Sequence, residues 1–318
     1  MTSEFDLIGR FFSRAARSAK LGVGDDAALV EAAAGHDLVM TMDTLVSGTH
    51  FSSDPEPRAL GHKSLAVNLS DLAAMGARPR WVLLAITLSD VDEEWLAAFA
   101  QGFYDLAQRH DVALVGGDTT RGPLSITVMA TGEVAADKAL RRDRARAGDE
   151  VWVSGQLGSA ALALRHRRGE LRLKGKDLEG CSMSLDMPTP RIELGQALVG
   201  VASSAIDVSD GLVADAGHIA LRSGVKMEIC YDDVPAIAGV MHLKQDKVVR
   251  DAVLAGGDDY ELLFTVPAGA TGQLDAVSAR LGLGLTRIGR VIRGSGVTVL
   301  DDSGGLIDAG TGGYDHFG

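Results

Sequence analysis

Six short segments of this chain set acidic residues beside glycine or other small residues. They are Gly24-Asp25-Asp26-Ala27, Met42-Asp43-Thr44, Asn68-Leu69-Ser70-Asp71, Gly116-Gly117-Asp118-Thr119-Thr120-Arg121-Gly122, Asp207-Val208-Ser209-Asp210-Gly211 and Gly256-Gly257-Asp258-Asp259-Tyr260-Glu261. Carboxylates on tight turns are what a protein uses to hold hard divalent cations against phosphates. Mg²⁺ takes oxygen ligands, keeps some waters and shares its shell with substrate phosphates. The pattern points to phosphoryl transfer or phosphate activation. Each segment has a plainer reading when taken alone. Asp25 and Asp26 suit a solvated turn. Asp207 and Asp210 flank Ser209 just before an expected helix, so N-capping competes with metal binding there. Asp43 closes a strand expected to be buried, where a lone carboxylate is costly. Asp71 stands in mid-helix among Leu69, Leu72 and Met75, where capping is a poor account. Asp118 follows two glycines, which let backbone approach a phosphate closely. Six independent turns explain the set less well than one shared cation and phosphate chemistry.

The elements that must position these residues follow from periodicity. Helices are expected over residues 4–17, 57–75 and 95–110, the last with Asp92-Glu93-Glu94 at its positive end. Strands are expected at 37–41, 81–88, 112–118 and 124–134, the third ending in a glycine turn. Charge rises and apolar periodicity stops near 137–148. The chain therefore reads as an N-terminal domain over 1–140 and a C-terminal domain over 148–318. The second half continues with a strand at 150–154 and a polar helix-and-loop stretch at 165–184. Pro188-Thr189-Pro190 opens a helix, 203–212 runs strand–turn–helix, and strands follow in VKMEICYDDVP and DYELLFTVP. The pair GGDTTRG and GGDDYEL hints at an internal echo. Strands and helices mix in both halves, which is an α+β class.

Composition excludes several alternatives. The formal net charge is -12 and the one basic cluster, Arg141 to Arg146, is short and broken by Asp143, which argues against nucleic acid as partner. Cys181 and Cys230 are far apart and lack metal-ligand spacing, as expected of a reducing cytoplasm. No apolar run is long enough for a membrane span, and the N-terminus lacks the features of a signal peptide. Gly169 to Lys176 (GELRLKGK) is one residue too long for a phosphate loop and is followed by Asp177 rather than Ser or Thr. No His constellation for nucleophilic catalysis is evident. His50 alone lies near an acidic turn, and a surface histidine is its plainer reading.

The runs GVGDDAA, NLSDLAAMGARP, GGDTTRGPLSIT, AIDVSDGL, GGDDYELLFTVP and GYDHFG resemble the thiamine-monophosphate kinase family from Glu4 to Gly318. That resemblance implies a two-domain fold of the aminoimidazole ribonucleotide synthetase type, with mixed sheets packed with helices and a dimerising N-terminal domain. It implies a phosphotransferase that makes thiamine diphosphate from thiamine monophosphate and ATP by direct in-line transfer, in the cytoplasm, as a homodimer. Several Mg²⁺ ions would be held by Asp26, Thr41, Met42, Asp43, Asp71, Asp118, Asp207 and Asp210, with a monovalent cation admitted beside them. Gly117, Asp118, Arg142 and Ser209 match ATP-contacting positions. His50, Asp258 and Tyr314 match positions that contact the thiamine phosphate. Asp71, Asp118, Asp210 and Arg142 are the residues expected to carry the transfer. Asp25, Asp215 and Asp259 receive no role beyond shaping their turns. Two departures from the family pattern stand out. Met42 replaces a Thr, which matters only if that position ligates through a hydroxyl. Asp258 replaces a Glu one methylene longer. The competing readings are a different enzyme of the same superfamily and a non-catalytic metal or nucleotide binder. Selenophosphate synthetase is disfavoured because no Cys precedes Cys181, and the hydrogenase maturation enzyme because the chain does not end in Cys.

Overall fold

The computed structural model describes residues 3–16, 18–243 and 246–308. The chain divides into two compact units, residues 1–72 with 77–137 and residues 73–76 with 138–318.

The first unit opens with α1 (Glu4–Leu7), capped by Ser3 and Asp6 in a reciprocal capping box. It runs into a π-helical turn, Ile8–Phe12. The helix expected to reach residue 17 therefore stops at Phe12, where Phe12 packs edge-on against Phe99 and its carbonyl accepts from Tyr104 Oη at 2.8 Å. Strands β1 (Ala19–Leu21) and β2 (Leu29–Val30) form a small antiparallel pair. The main sheet contains β3 (His36–Val46), β4 (Arg78–Leu88), β5 (Ala113–Arg121) and β6 (Ser125–Ala135), in the order β3-β6-β4-β5. Helices α2 (Pro57–Ala74) and α3 (Glu93–Arg109) supply most of its core, including Leu65, Leu69, Leu72, Leu96, Phe99 and Phe103. Asp92 caps α3 as its sequence position suggests.

Two strands differ from the sequence expectation. β3 is an edge strand rather than a buried one, and it continues past Asp43 to Val46. Its outward row, Leu38, Met40, Met42 and Val46, is exposed. β5 does not end at the glycines but carries Gly116-Gly117-Asp118 within the strand, paired in parallel with β4. Gly117 has φ 153°, and a Cβ there would lie 1.8 Å from the Leu84 carbonyl oxygen. The strand neighbour requires that glycine, whatever else approaches it.

The second unit is built on a seven-stranded sheet, in the order β13-β12-β9-β11-β7-β10-β8. Its strands are β7 (Glu150–Ser154), β8 (Ser204–Asp207), β9 (Lys226–Cys230), β10 (Leu262–Val266), β11 (Leu285–Ile292), β12 (Gly296–Leu300) and β13 (Leu306–Ile307). Packed with it are α4 (Ser159–Arg167), α5 (Gly175–Asp186), α6 (Ile192–Leu198), α7 (Leu212–Ser223), α8 (Lys247–Ala255) and α9 (Thr271–Leu281). Every residue of β8 and β10 is buried, as in strands covered on both faces. α8, α9, β11 and β12 were not expected from the sequence. The mixed sheets with packed helices make an α+β chain. No helix among the described residues is long and apolar enough to cross a membrane.

Candidate active site

In the first unit the acidic residues converge from one strand and one helix. Thr41 and Asp43 are two apart on β3, so they share a face, and that face looks toward α2. α2 answers with Asn68 and Asp71. Thr41 Oγ1 donates a short hydrogen bond to Asp71 Oδ2. Asn68 Oδ1 accepts from the Asp43 amide at 3.2 Å, and its own amide nitrogen donates to the Ser64 carbonyl at 3.2 Å. Burial first, and the neighbouring charge of Asp71 second, push the Asp43 carboxyl up to about 6. The cluster offers only oxygen, with two carboxylates that repel one another. Such a donor set suits a hard dication better than any side chain. Asn68 was not assigned by sequence reasoning, although it sits three residues before Asp71.

Met42 takes no part in this cluster through its side chain, which stands on the opposite face of β3 and is 64% exposed. Only its backbone is available to the site, so the Thr-to-Met departure removes no hydroxyl from it. Asp118 also lies elsewhere. The register that pairs Asp43 with Val128 and Leu84 puts Asp118 in the next row, beside Ala85 and Thr127, on the open face of the sheet. It is separated from β3 by two intervening strands, or about 14 Å at ordinary strand spacing. One chain does not bring Asp118 to Asp43 and Asp71. Asp26 is exposed, with its amide bonded to Asp25 Oδ1 at 2.8 Å, which gives Asp25 its turn-shaping role. His50 accepts from the Val46 amide through Nδ1 at 3.0 Å, so its proton sits on Nε2.

In the second unit two loops form one hydrogen-bonded body. β8 and β10 pair antiparallel as far as Asp207 opposite Leu262. Beyond that the ladder continues through the loops. Val208 N donates to the Glu261 carbonyl at 2.8 Å, Tyr260 N to the Val208 carbonyl at 2.9 Å, and Asp258 N to the Ser209 carbonyl at 2.9 Å. A Cβ on Gly257 would lie 2.4 Å from the Ser209 carbonyl oxygen, so the loops touch backbone to backbone. Asp258 and Tyr260 hold left-handed φ of 70° and 51°, and Tyr260 Oη donates to Asp258 Oδ1 at 2.9 Å. The supposed echo with GGDTTRG is not structural. That segment lies within a strand and this one in a loop.

The three acids of the GGDDYEL loop divide by role. Asp258 is half-buried and accepts from Tyr260 Oη. Asp259 is buried and accepts from the amides of Gly158, at 2.6 Å, and Ala160, at 3.4 Å, at the start of α4. Burial raises its carboxyl well above the usual range. Glu261 accepts from Arg191 Nε at 2.7 Å and from Ser154 Oγ at 2.5 Å. On the other loop neither Asp207 nor Asp210 caps α7. The N-cap is Gly211, with no side-chain cap, and the competing N-cap reading of these acids falls. The carboxylate that satisfies the turn is Asp215, whose Oδ2 accepts from the amides of Ser209, Asp210 and Gly211. Burial, and then the Asp210 charge, push Asp215 up to about 7. Arg142 is exposed and its carbonyl accepts from Ser223 Oγ at 2.8 Å. Tyr314 lies outside the described residues.

The chain matches the family models for AIR synthase related protein, N-terminal domain, over residues 24–134, and C-terminal domain, over residues 146–302. It is 44% identical over 321 residues to thiamine-monophosphate kinase of Salmonella typhimurium, covering 99% of this chain and 98% of that one. Among solved structures it resembles the thiamine-monophosphate kinase of Stenotrophomonas maltophilia K279a, at 48% identity and TM-score 0.85 over 95% of both chains. It also resembles AaThiL complexed with AMPPCP and TMP, at 33% identity and TM-score 0.76, over 91% of this chain and 90% of that one.

The raised Asp43 carboxyl sets a stability test. Its folded value of about 6 lies above the unfolded 3.8, so ionisation is resisted in the fold and stability falls as pH rises between them. Asp43→Asn removes that cost. In EDTA, at neutral pH, the variant is expected to be more stable than the parent by roughly 1–3 kcal/mol. The gain should disappear below about pH 4, where both forms are neutral. Urea unfolding at the two pH values measures it, and a variant less stable than the parent at neutral pH would contradict the desolvation account.

Proposed function

The chain belongs to the AIR synthase related family and, within it, to the thiamine-monophosphate kinases, and we propose that the Thr41–Asp43–Asp71 cluster and the Asp207–Asp210 turn serve that chemistry as its Mg²⁺-holding groups. The reaction is the ATP-dependent phosphorylation of thiamine monophosphate to thiamine diphosphate. An oxygen of the acceptor phosphate forms a bond to the γ-phosphorus of ATP. The bond from that phosphorus to the β,γ-bridging oxygen breaks, and ADP leaves. The acceptor oxygen is already anionic near neutral pH, so no base is required. The difficulty is bringing anions together in line.

The observation that carries the metal reading is the oxygen-only cluster in which burial and Asp71 hold Asp43 near 6. Mg²⁺ held there would neutralise polyphosphate charge and favour the ionised Asp43 carboxylate. Met42 would contribute through its carbonyl. Asp26 would join from its exposed turn. Gly117, Asp118, Arg142 and Ser209 would contact ATP, with Arg142 supplying a charge-assisted clamp on phosphate. His50, Asp258 and Tyr314 would contact thiamine monophosphate, and a Tyr314 ring would suit the thiazolium cation. The shorter Asp258 is held by Tyr260, which fixes its direction where a longer Glu would reach further.

The sheet of the first unit supports a homodimer. Its outward row on β3 is apolar, with Met40 58% and Met42 64% exposed. The same face carries Asp118, which one chain cannot bring to Asp43. A second copy covering that face would bury the methionines and set its own Asp118 toward the cluster. The unpaired Cys181 and Cys230 suit a reducing cytoplasm.

Purified protein with Mg²⁺, ATP and thiamine monophosphate should yield thiamine diphosphate and ADP. Asp71→Asn and Asp210→Asn should each reduce turnover by at least about a hundredfold while circular dichroism stays native. Normal activity in either would remove that residue from the metal shell. Met40→Glu with Met42→Glu should convert a dimer to monomers in light scattering. Co-expressed Asp71→Asn and Asp118→Asn chains should recover about a quarter of wild-type activity, since half the dimers would be mixed and each would hold one intact site. No recovery would place both residues in one chain's site.

A further inference from the structure

We infer that Asp215 is the positioning residue of the Ser209–Gly211 turn, filling from within the chain the anion nest that this turn forms and thereby aiming Asp210. The inference rests on Asp210 being a metal ligand. Three consecutive backbone amides ahead of a helix are a ready anion site, and a glycine-flanked acidic turn invites the expectation that a phosphate occupies it. Here the site is already taken. Asp215, in the first turn of α7, reaches back so that Oδ2 lies 3.1 Å from the Ser209 amide, 3.1 Å from the Asp210 amide and 3.2 Å from the Gly211 amide. Gly211 has no side chain to compete for these donors. Asp215 itself is buried, so its three bonds to backbone amides are held away from competing water.

The turn is gripped from its other side as well. The Ser209 carbonyl accepts from the Asp258 amide at 2.9 Å, and Gly257 leaves no room for movement toward it. With its amides fixed by Asp215 and its carbonyl fixed by the neighbouring loop, Ser209-Asp210-Gly211 has one orientation. Asp210, Asp215 and His218 place ligand atoms within 4.8 Å of one another, the one such group among the described residues. Within that group Asp215 Oδ2 is committed to backbone, His218 is exposed, and Asp210 is left to face a ligand. A partner that orients a ligand is distinct from the ligand, and its loss weakens metal binding without removing a donor.

The test uses the full-length protein and Mn²⁺ as probe, titrated by electron paramagnetic resonance, alongside the Mg²⁺ dependence of turnover. Asp215→Ala should weaken Mn²⁺ binding and raise half-saturating Mg²⁺ by about tenfold or more, with kcat at saturating Mg²⁺ much less affected. Asp215→Asn keeps an oxygen for the amides and should stay close to wild type in both measurements. An Asp215→Asn as impaired as Asp215→Ala would make Asp215 a metal ligand and overturn the positioning role. So would wild-type Mn²⁺ affinity in Asp215→Ala. Should the alanine variant not fold, Asp215→Ser, too short to reach the amides, replaces it with the same expectations. Asp210→Asn serves as reference. Wild-type Mn²⁺ binding there would overturn the ligand reading of Asp210, a failure separable from that of Asp215.

Discussion

The constraint on which this structure turns is the gathering of carboxylates where water cannot fully solvate them. Asp43 beside Asp71, Asp215 beside Asp210, and buried Asp259 all resist ionisation, and in each the largest cause is burial. Folding alone would not keep such groups close. Their hydrogen bonds come from neutral donors: the Gly158 and Ala160 amides for Asp259 and three turn amides for Asp215. Neutral donors hold geometry without cancelling charge. Glu261 is the contrast, since Arg191 neutralises it. That carboxylate is lost to chemistry and becomes a fixed post under the loop. The protein thus sorts its acids by partner: Glu261, met by Arg191, and Asp215 and Asp259, met by backbone amides, fix the loops, while Asp43 and Asp71 stand together with only neutral groups between them.

The second dependence is mechanical. The strand pair β8 and β10 extends its hydrogen bonding into the two loops that follow and precede it, so the Asp210 turn and the Asp258 loop move as one. A phosphate acceptor and a cation bridging it to a donor must be aligned to within a fraction of an ångström for in-line attack. Placing both loops on one ladder makes their separation a property of backbone hydrogen bonds. The left-handed φ of Asp258 and Tyr260 then has a physical reason. The ladder consumes the amides of Asp258 and Tyr260, and the loop must turn sharply to keep both in it.

What could be read in the sequence was the chemistry and most of the first unit. Asp43 and Asp71 announce themselves because a strand position following an apolar run and a mid-helix position are poor places for an idle acid. Helices α2 and α3 and strands β4 and β6 follow their periodicity closely. The misreadings have particular causes. DLVMT reads as a buried strand because of its apolar Leu38-Val39-Met40 run, yet β3 is an edge strand with one open apolar face, and a short apolar run does not distinguish the two. Asn68 and Glu261 were given no role, and Asp259 only a turn-shaping one, because their partners are set by tertiary folding, whereas Asp215 shapes its own turn from four to six residues away. Asp259 reaches Gly158 across 101 residues and Glu261 reaches Ser154 across 107. The strands β11 and β12 were hidden by glycine-rich flanks that read as turns.

The two departures from the family pattern end differently. Met42 looked like the loss of a ligand, but the alternation of β3 carries its side chain to the far face, away from Thr41 and Asp43. The site there sees only backbone, which every residue provides. The same alternation turns the departure to advantage on the other face, where a thioether adds apolar area to an exposed row. Asp258 would carry the cost in its proposed contact with substrate. Its carboxylate is one methylene shorter, and Tyr260 Oη holds it at 2.9 Å. In that role a shorter arm fixed in direction would leave a gap, and an ordered water is the group that spans such gaps at little entropic cost. The acidic turns therefore tolerate change where the backbone does the work, and they are exacting where the side chain itself must reach.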